Sequence, residues 1–292
     1  MKDHLHLHFI VLIFGFTGIL GKLITLPAAD LVFYRMLLAA IGMFGFAVLT
    51  KKRLRLPRMV LAQIFGVGII VAVHWITFFG AIKASNVSVA LGCMASATLF
   101  TSFLEPIFDK KRIAVSEVVL GLVIIIGLYI ITQFALQYLW GIALALTSAF
   151  LAALFGVMNK HLVRKYDAGI VSMYEMMSGF VFIALYFTFT QSISVLPMNI
   201  PAMDIFYVLI LALLCTTYAF IAMNYLLERL SAYTVALAIN MEPVYAIILA
   251  YWIFGDSERM HLGFYIGALI IIASIAVYPF LNKPQTGPSN PI

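Results

Sequence analysis

Glu242 and Pro243 lie near the middle of a stretch, Ser231 to Arg259, that is apolar for long enough to cross a lipid bilayer. A carboxylate near the bilayer centre costs roughly 3 kcal/mol on insertion scales, so it normally faces a water-filled cavity or a partner. In a continuous helix, the proline ring would also clash with the carbonyl of Ile239. The pair therefore predicts a disturbed helix whose carboxyl binds a substrate or a proton, because desolvation disfavours the ionised form unless a cation or a substrate compensates it. A neutral, packed glutamate is the structural alternative.

Three further ionisable side chains within apolar stretches have types suited to substrate binding. His74 can titrate near physiological pH, and the adjacent Trp75 offers a stacking surface for a ring or a cation. A histidine that only packs is the alternative. Arg35 and Glu175 occupy matched positions in two similar halves of the chain, which makes them candidates for paired gates or substrate clamps. Each is otherwise an interfacial charge whose long side chain reaches toward water.

Lys22 and Asn240 complete the candidate binding residues. Lys22 ends the run Gly15 to Lys22, GFTGILGK, whose small residues let helices approach closely. It either lines the outer part of a cavity or marks the end of its span. Asn240 lies two residues before Glu242, hence on another helix face, where it binds substrate or a neighbouring helix. The alternating histidines of His4 to His8 do not share one helix face, so we expect a solvated leader and no metal site.

Composition identifies the protein class that must position these residues. Of the 292 residues, 64% are hydrophobic and 10% are charged, and the mean hydropathy is +1.08. This composition predicts an all-α integral membrane protein with many spans. The net charge of +6 comes from short basic clusters between apolar runs, which indicates membrane topology and no nucleic-acid partner. No catalytic motif occurs, so we expect neither an enzyme nor a cofactor.

Apolar runs bounded by charge or proline predict about ten spans. They are 8–26, 30–50, 58–82, 86–106, 115–133, 139–158, 169–189, 204–227, 231–254 and 262–281. The basic joints Lys51 to Arg58, Asp109 to Arg112 and Asn159 to Lys165 fall on one side of this count. By the positive-inside rule, both termini are predicted to be cytoplasmic. The polar tail, residues 282–292, is predicted to be a disordered cytoplasmic segment.

Two halves of the chain resemble each other. GAIKASNVSVAL (Gly80 to Leu91) aligns without a gap with LLERLSAYTVAL (Leu226 to Leu237), and VFYRM (Val32 to Met36) with SMYEM (Ser172 to Met176). Such self-similarity is typical of transporter folds built from internal repeats. Five spans per half make the copies inverted, so the sequence predicts two repeats, 8–133 and 139–281.

The chain resembles the EamA-type permeases of the drug/metabolite transporter superfamily from about Phe9 to Tyr278. The resemblance is carried by Arg35 with Ala39, the turn Ala81 to Leu91 and its copy Leu227 to Leu237, Glu242-Pro243-Val244, and Gly263 to Gly267. The chain departs at Ala95 to Ala97, where family members often have a proline, and at Gly255 to Arg259, a looser form of a Gly-Glu-Arg end. The resemblance implies ten helices as two inverted five-helix repeats around a central cavity, and export of small metabolites such as amino acids.

Together these features predict a secondary transporter of the inner membrane that moves small polar or zwitterionic metabolites by alternating access. Its cavity would combine Lys22, Arg35 and His74 with Glu175 and Glu242. A proton carried by Glu242 is a hypothesis for the coupling ion. The alternatives are an oligomeric channel, which single-channel conductance would favour, and a polytopic membrane enzyme, which turnover of a lipid-linked substrate would favour.

Overall fold

The computed structural model of the chain describes residues 2–110, 115–133, 136–190, 199–227, 238 and 241–281. These residues form helices and short connections, and none of them lies in a β-strand. In chain order the helices are α1 (Lys2–Leu23), α2 (Ala28–Leu49), α3 (Arg58–Ala84), α4 (Val87–Met94), α5 (Ala97–Asp109), α6 (Val115–Gln133), α7 (Leu139–Val163), α8 (Ala168–Thr190), α9 (Ala202–Ala212), α10 (Ala219–Leu227), α11 (Glu242–Phe254) and α12 (Leu262–Leu281). A π-helical segment, Leu213–Tyr218, joins α9 to α10, and short 3-10 turns lie at Leu136–Tyr138 and Gly255–Glu258.

The described residues contain seven helical stretches that are long and apolar enough to cross a membrane. They are Lys2–Leu23, Ala28–Leu49, Arg58–Ala84, Val87–Asp109, Leu136–Val163, Ala168–Thr190 and Ala202–Met223. The protein is therefore an all-helical, multi-pass membrane protein. The other three predicted spans contain α6, α11 and α12, so the number of ten spans stays a prediction.

A helix break in the first half corresponds in the repeat alignment to a helix start in the second half. The fourth predicted span is divided, because α4 ends at Met94 and α5 begins at Ala97. The buried hydroxyl of Ser96 donates to the carbonyl of Cys93 at 2.7 Å within this break. The ungapped alignment of the halves places Ser96 on Glu242, which is the first residue of α11. Interrupted helices at equivalent positions are a feature of transporters built from repeats.

Pro243 lies in the first turn of α11 and not in a helix interior. At this position the missing backbone donor costs nothing, because the first turn of a helix has no internal acceptors for its N–H groups. The sequence-based expectation of a proline interrupting a continuous helix is therefore replaced by a helix start. Ile239, whose carbonyl was expected to clash, lies outside the described residues.

The joints that carry basic residues meet at one end of the helix bundle. Lys52, after α2, forms an ion pair with Asp167, before α8, and the Tyr174 hydroxyl donates to the Leu54 carbonyl at 2.9 Å. We name this end of the bundle the basic end. At the opposite end, Thr25 donates two hydrogen bonds to the carboxylate of Asp204 at the start of α9.

Glycines set the closest helix approaches. A Cβ atom on Gly179 of α8 would lie 2.8 Å from the carbonyl oxygen of Gly68 in α3, and one on Gly267 of α12 would lie 2.7 Å from that of Gly127 in α6. In α1, a Cβ on Gly15 would lie 3.4 Å from the carbonyl oxygen of Glu242. The close packing predicted for the glycine-rich run of α1 is thus confirmed, and it brings α1 directly against the start of α11.

Candidate functional site

Arg35 is a buried cation in α2, with 2% of its surface exposed. Its Nε donates to Thr216 Oγ1 at 2.9 Å, and its guanidinium carbon lies 3.7 Å from the centroid of the Trp75 ring. A guanidinium stacked on an indole in this way is held in one plane by cation–π attraction. Nη1 is buried and has no hydrogen-bond partner among the described residues. Arg35 Nη1 is thus a charged donor that is held in a fixed direction and has no acceptor among the described residues.

The π-helical segment orients Thr216 toward Arg35. Thr216 Oγ1 donates to the carbonyl of Leu211, five residues back, at 2.8 Å, and Thr217 Oγ1 does the same to Ala212 at 3.0 Å. Because the single proton of the Thr216 hydroxyl is used on Leu211, its oxygen is free to accept from Arg35 Nε. Short π-helical segments often occur at functional sites. Thr216 was not among the residues singled out from sequence.

Glu242 brings a negative charge into the region of Arg35. Its backbone packs against Gly15, which lies near the middle of the first predicted span, so the start of α11 lies at about half depth. The carboxylate and the Arg35 guanidinium attract each other electrostatically, but these two described side chains form no ion pair within 4 Å. The first turn of a helix also favours a negative charge. The two charges therefore attract each other without forming a direct ion pair, and we refer to them as the separated charge pair.

His74 and Trp75 contact different neighbours. The buried His74 lies against α7, where its Nδ1 is 2.8 Å from Ser148 Oγ and 2.9 Å from the Ser148 carbonyl oxygen. The Ser148 hydroxyl also lies 2.9 Å from the His74 carbonyl oxygen, to which it can donate. These contacts favour the packing interpretation of His74. Trp75 instead lies against Arg35 and meets Phe220 edge to face, at 6.2 Å between ring centroids.

Glu175 is separate from the Arg35 region in its contacts. It lies seven residues after the start of α8, as Arg35 lies seven residues after the start of α2, but its side-chain contact is with α7. Its Oε2 accepts from Asn159 Nδ2 at 3.2 Å, and its side chain is 0% exposed. The structure thus retains the matched positions predicted for Arg35 and Glu175, but gives the two side chains different partners.

Lys22 lies at the end of the bundle opposite the basic end. Its Nζ is 2.9 Å from Glu258 Oε1 and 4.3 Å from the centroid of the Phe254 ring. Glu258, which is fully buried, also accepts from the backbone N–H groups of Val87 at 3.0 Å and Ser88 at 2.8 Å. These contacts favour the end-of-span interpretation of Lys22 and place it apart from Arg35. Glu258 was missed from sequence, although it belongs to the divergent Gly255 to Arg259 segment.

Replacing Glu258 with glutamine is expected to lower the free energy of unfolding by roughly 3 kcal/mol, because it leaves Lys22 without its charge partner and the start of α4 without its anionic cap. This loss of stability is measured as a decrease in the melting temperature of the purified protein in detergent. Asp256→Asn is the matched control, since the Asp256 side chain is 93% exposed. A Glu258→Gln melting temperature equal to that of the control would contradict the capping role.

The basic end also has an ion-pair cluster. Lys160 near the end of α7 pairs with Glu105 and, at 3.4 Å, with Asp109, both of α5. His161 Nε2 lies 3.2 Å from Asp109. The side chains of Lys160 and Glu105 are 30% and 43% exposed, so this cluster is partly solvated, unlike Glu258.

A groove of about 720 Å³ extends along α2 toward the basic end. Gly42 and Phe46 of α2 line it, on the helix face that also carries Arg35 and Ala39, and Thr217, Tyr218 and Tyr225 line its other side. Asn240 and the repeated segment Ser231 to Leu237, which the sequence singled out, lie outside the described residues.

Similar proteins are known. The model of the EamA-like transporter family matches residues 5–133 and 139–278. An uncharacterized transporter of Archaeoglobus fulgidus is 25% identical over 289 residues, which cover 94% of this chain and 96% of that protein. A second uncharacterized transporter of the same organism is 26% identical over 211 residues, 70% of this chain and 73% of that protein. A solved structure, described only as the crystal structure of a protein, covers 97% of this chain and 99% of its own with a TM-score of 0.68 and 17% identity, which shows a shared fold.

Proposed function

This chain belongs to the EamA-like transporter family, and from that premise we propose that it exports small polar or zwitterionic metabolites, such as amino acids, by alternating access. The observation that carries the proposal is the separated charge pair of Arg35 and Glu242. Two opposite charges at membrane depth that attract each other without forming an ion pair are costly unless a ligand bridges them.

A zwitterion satisfies both charges of this pair. Its carboxylate would bind the unpartnered Nη1 of Arg35, and its ammonium group would bind Glu242. Charge-assisted hydrogen bonds of this kind are about twice as strong as neutral ones. The aromatic faces of Trp75 and Phe79, whose ring centroids lie 3.7 Å and 5.6 Å from the Arg35 guanidinium carbon, would limit access of water to the bound carboxylate.

The architecture in this proposal is two inverted five-helix repeats, 8–133 and 139–281, with the helix break at Ser96 in the first repeat and the start of α11 at Glu242 in the second. Alternating access would move one repeat against the other around the charge pair. The basic end would face the cytoplasm of the cell, together with both termini and the tail 282–292, because Lys52 and Asp167 bring the basic joints together there. The groove along α2 would then lead substrate from the cytoplasm toward Arg35.

Binding and exchange experiments test this function. Among a panel of metabolites, amino acids are expected to raise the melting temperature of the purified protein, because a ligand at 100 times its dissociation constant stabilises the folded state by about 2.7 kcal/mol.

In proteoliposomes, the same amino acids are expected to exchange in counterflow. We expect Glu242→Gln to reduce this exchange at least about tenfold, since a buried charge contact contributes more than about 1.4 kcal/mol. Asp256→Asn, at an exposed position, should exchange like the parent. Stepwise single-channel currents without saturable exchange would contradict the proposal.

A further inference from the structure

Glu175 and Glu242 are two carboxyl groups at membrane depth that differ in the charges and hydrogen-bond donors around them. The Glu242 carboxylate is attracted electrostatically by the Arg35 guanidinium. Glu175 is more deeply buried, and its one side-chain contact among the described residues is the neutral amide of Asn159. Two buried oxygen atoms at this contact, Glu175 Oε1 and Asn159 Oδ1, have no hydrogen-bond donor in the described part of the chain. Among the described residues, Glu175 therefore has no cationic partner, and its Oε1 has no hydrogen-bond donor.

The charged and titratable groups of the helices that pack on α8 are engaged elsewhere. Helices α2, α3, α7 and α10 pack on α8. Arg35 contacts Thr216 and Trp75, His74 contacts Ser148, Lys160 pairs with Glu105 and Asp109, and His161 lies against Asp109. Lys83 donates to the carbonyl of Ile24, Tyr225 lies against Lys52, Asp30 and Tyr34 have contacts of their own, and Arg58 is exposed at the start of α3. On the side of α3, the neighbour of Glu175 is the backbone of Gly68, where even a Cβ atom would come within 2.5 Å of the Glu175 carbonyl oxygen. This contact involves the backbone of Glu175 and holds α8 closely against α3.

A proton is the ligand that meets these conditions. A fully buried carboxylate with one neutral hydrogen bond is strongly destabilised, whereas the same carboxyl with a proton carries no net charge and gains a donor. We propose that Glu175 takes up one proton as its carboxylate becomes a carboxylic acid, and that this proton is the coupling ion of transport. The inference rests on the proposed function and separates the two roles: Arg35 and Glu242 bind substrate, and Glu175 binds the proton.

Asn159 can form a hydrogen bond with either protonation state of Glu175. Its amide donates to the ionised carboxylate through Nδ2, and its Oδ1, which has no donor among the described residues, is an acceptor for the acid proton once the amide turns. Asn159 directly precedes Lys160, whose ion pairs lie at the basic end. Glu175 lies seven residues after the start of α8, which begins beside the Lys52–Asp167 ion pair of the basic end, so the proposed proton exchange is with the compartment that the basic end faces.

Infrared difference spectroscopy tests proton binding without any transport assay. Purified protein at neutral pH is expected to show the carbonyl stretch of a buried carboxylic acid, and the spectrum of Glu175→Gln is expected to lack it. Glutamine has the shape and neutrality of the acid, so this variant should fold. Asp256→Asn should retain the band, and Asn159→Leu should shift its frequency. A parent spectrum that is the same as that of Glu175→Gln in this region would overturn the assignment.

Transport in proteoliposomes tests coupling. Glu175→Gln is expected to retain amino-acid counterflow within about twofold of the parent but to lose accumulation driven by a pH gradient. Gradient-driven accumulation equal to that of the parent would overturn the coupling role. If the parent protein itself shows no counterflow, the proposed function fails, and the infrared difference still decides whether Glu175 binds a proton.

Discussion

Replacing Arg35 with methionine is expected to lower the affinity for a zwitterionic substrate roughly 30-fold or more, because removing one partner of a buried charge contact costs about 2 kcal/mol at the lower limit. Methionine fills similar space but offers no donor to a carboxylate. It also leaves Glu242 without the cation that faces it. Affinity is measured from the dependence of the melting temperature on ligand concentration, and from counterflow.

Arg35→Lys tests whether the positive charge alone, without the planar geometry of the guanidinium group, is enough for substrate binding. Lysine keeps the positive charge but loses the planar stacking on Trp75 and the fixed Nε contact with Thr216. We expect an affinity between those of the parent and of Arg35→Met. The control is Arg58→Met, at an exposed position where α3 begins. If Arg35→Met binds substrate as tightly as Arg58→Met does, Arg35 does not contact the substrate.

We expect Gly68→Ala to lower the stability of the protein more than any other glycine-to-alanine substitution in α3. The new Cβ would lie 1.9 Å from Ser178 Oγ and 2.5 Å from the Glu175 carbonyl oxygen, so α3 and α8 would have to separate. Overpacking of this kind typically costs about 1–3 kcal/mol and occasionally more. The melting temperature in detergent, with the monodisperse fraction on size exclusion, measures the loss.

Gly66→Ala is the matched control for Gly68→Ala. Gly66 is on the same helix, and a Cβ there would meet nothing within 4 Å. Since alanine favours helix over glycine by roughly 0.5–1 kcal/mol, this variant should be as stable as the parent or more stable. Adding Ser178→Ala to Gly68→Ala removes the nearest atom but leaves the backbone contact, so rescue should be partial. Equal melting temperatures for Gly66→Ala and Gly68→Ala would contradict the close helix crossing.

The sequence predicted the features that depend on local pattern. A carboxyl and a proline inside an apolar run indicated a disturbed helix, where the structure has the start of α11, and a glycine-rich run indicated the close packing of α1. The break at Ser96 has no proline to signal it, and apolar residues continue on both sides. It became visible only in the structure, where α4 ends at Met94 and α5 begins at Ala97.

Other parts of the candidate site depend on tertiary contacts. The π-helical segment has the sequence LLCTTY, which is apolar like its flanks and gives no indication that Thr216 would face Arg35. Asn159 and Glu175 lie on different helices, so spacing along the chain does not pair them. Lys22 and Glu258 likewise lie in different halves of the chain, so no local sequence motif could have paired them.

The ion pairs at the two ends of the bundle differ in how strongly dissolved salt can act on them. The carboxylate of Glu258 is sealed from solvent, whereas Lys160 and Glu105 are partly exposed. Mobile ions weaken exposed pairs and have little effect on buried ones. Rising ionic strength is therefore expected to weaken the ion pairs of the basic end before it weakens the contacts of Glu258.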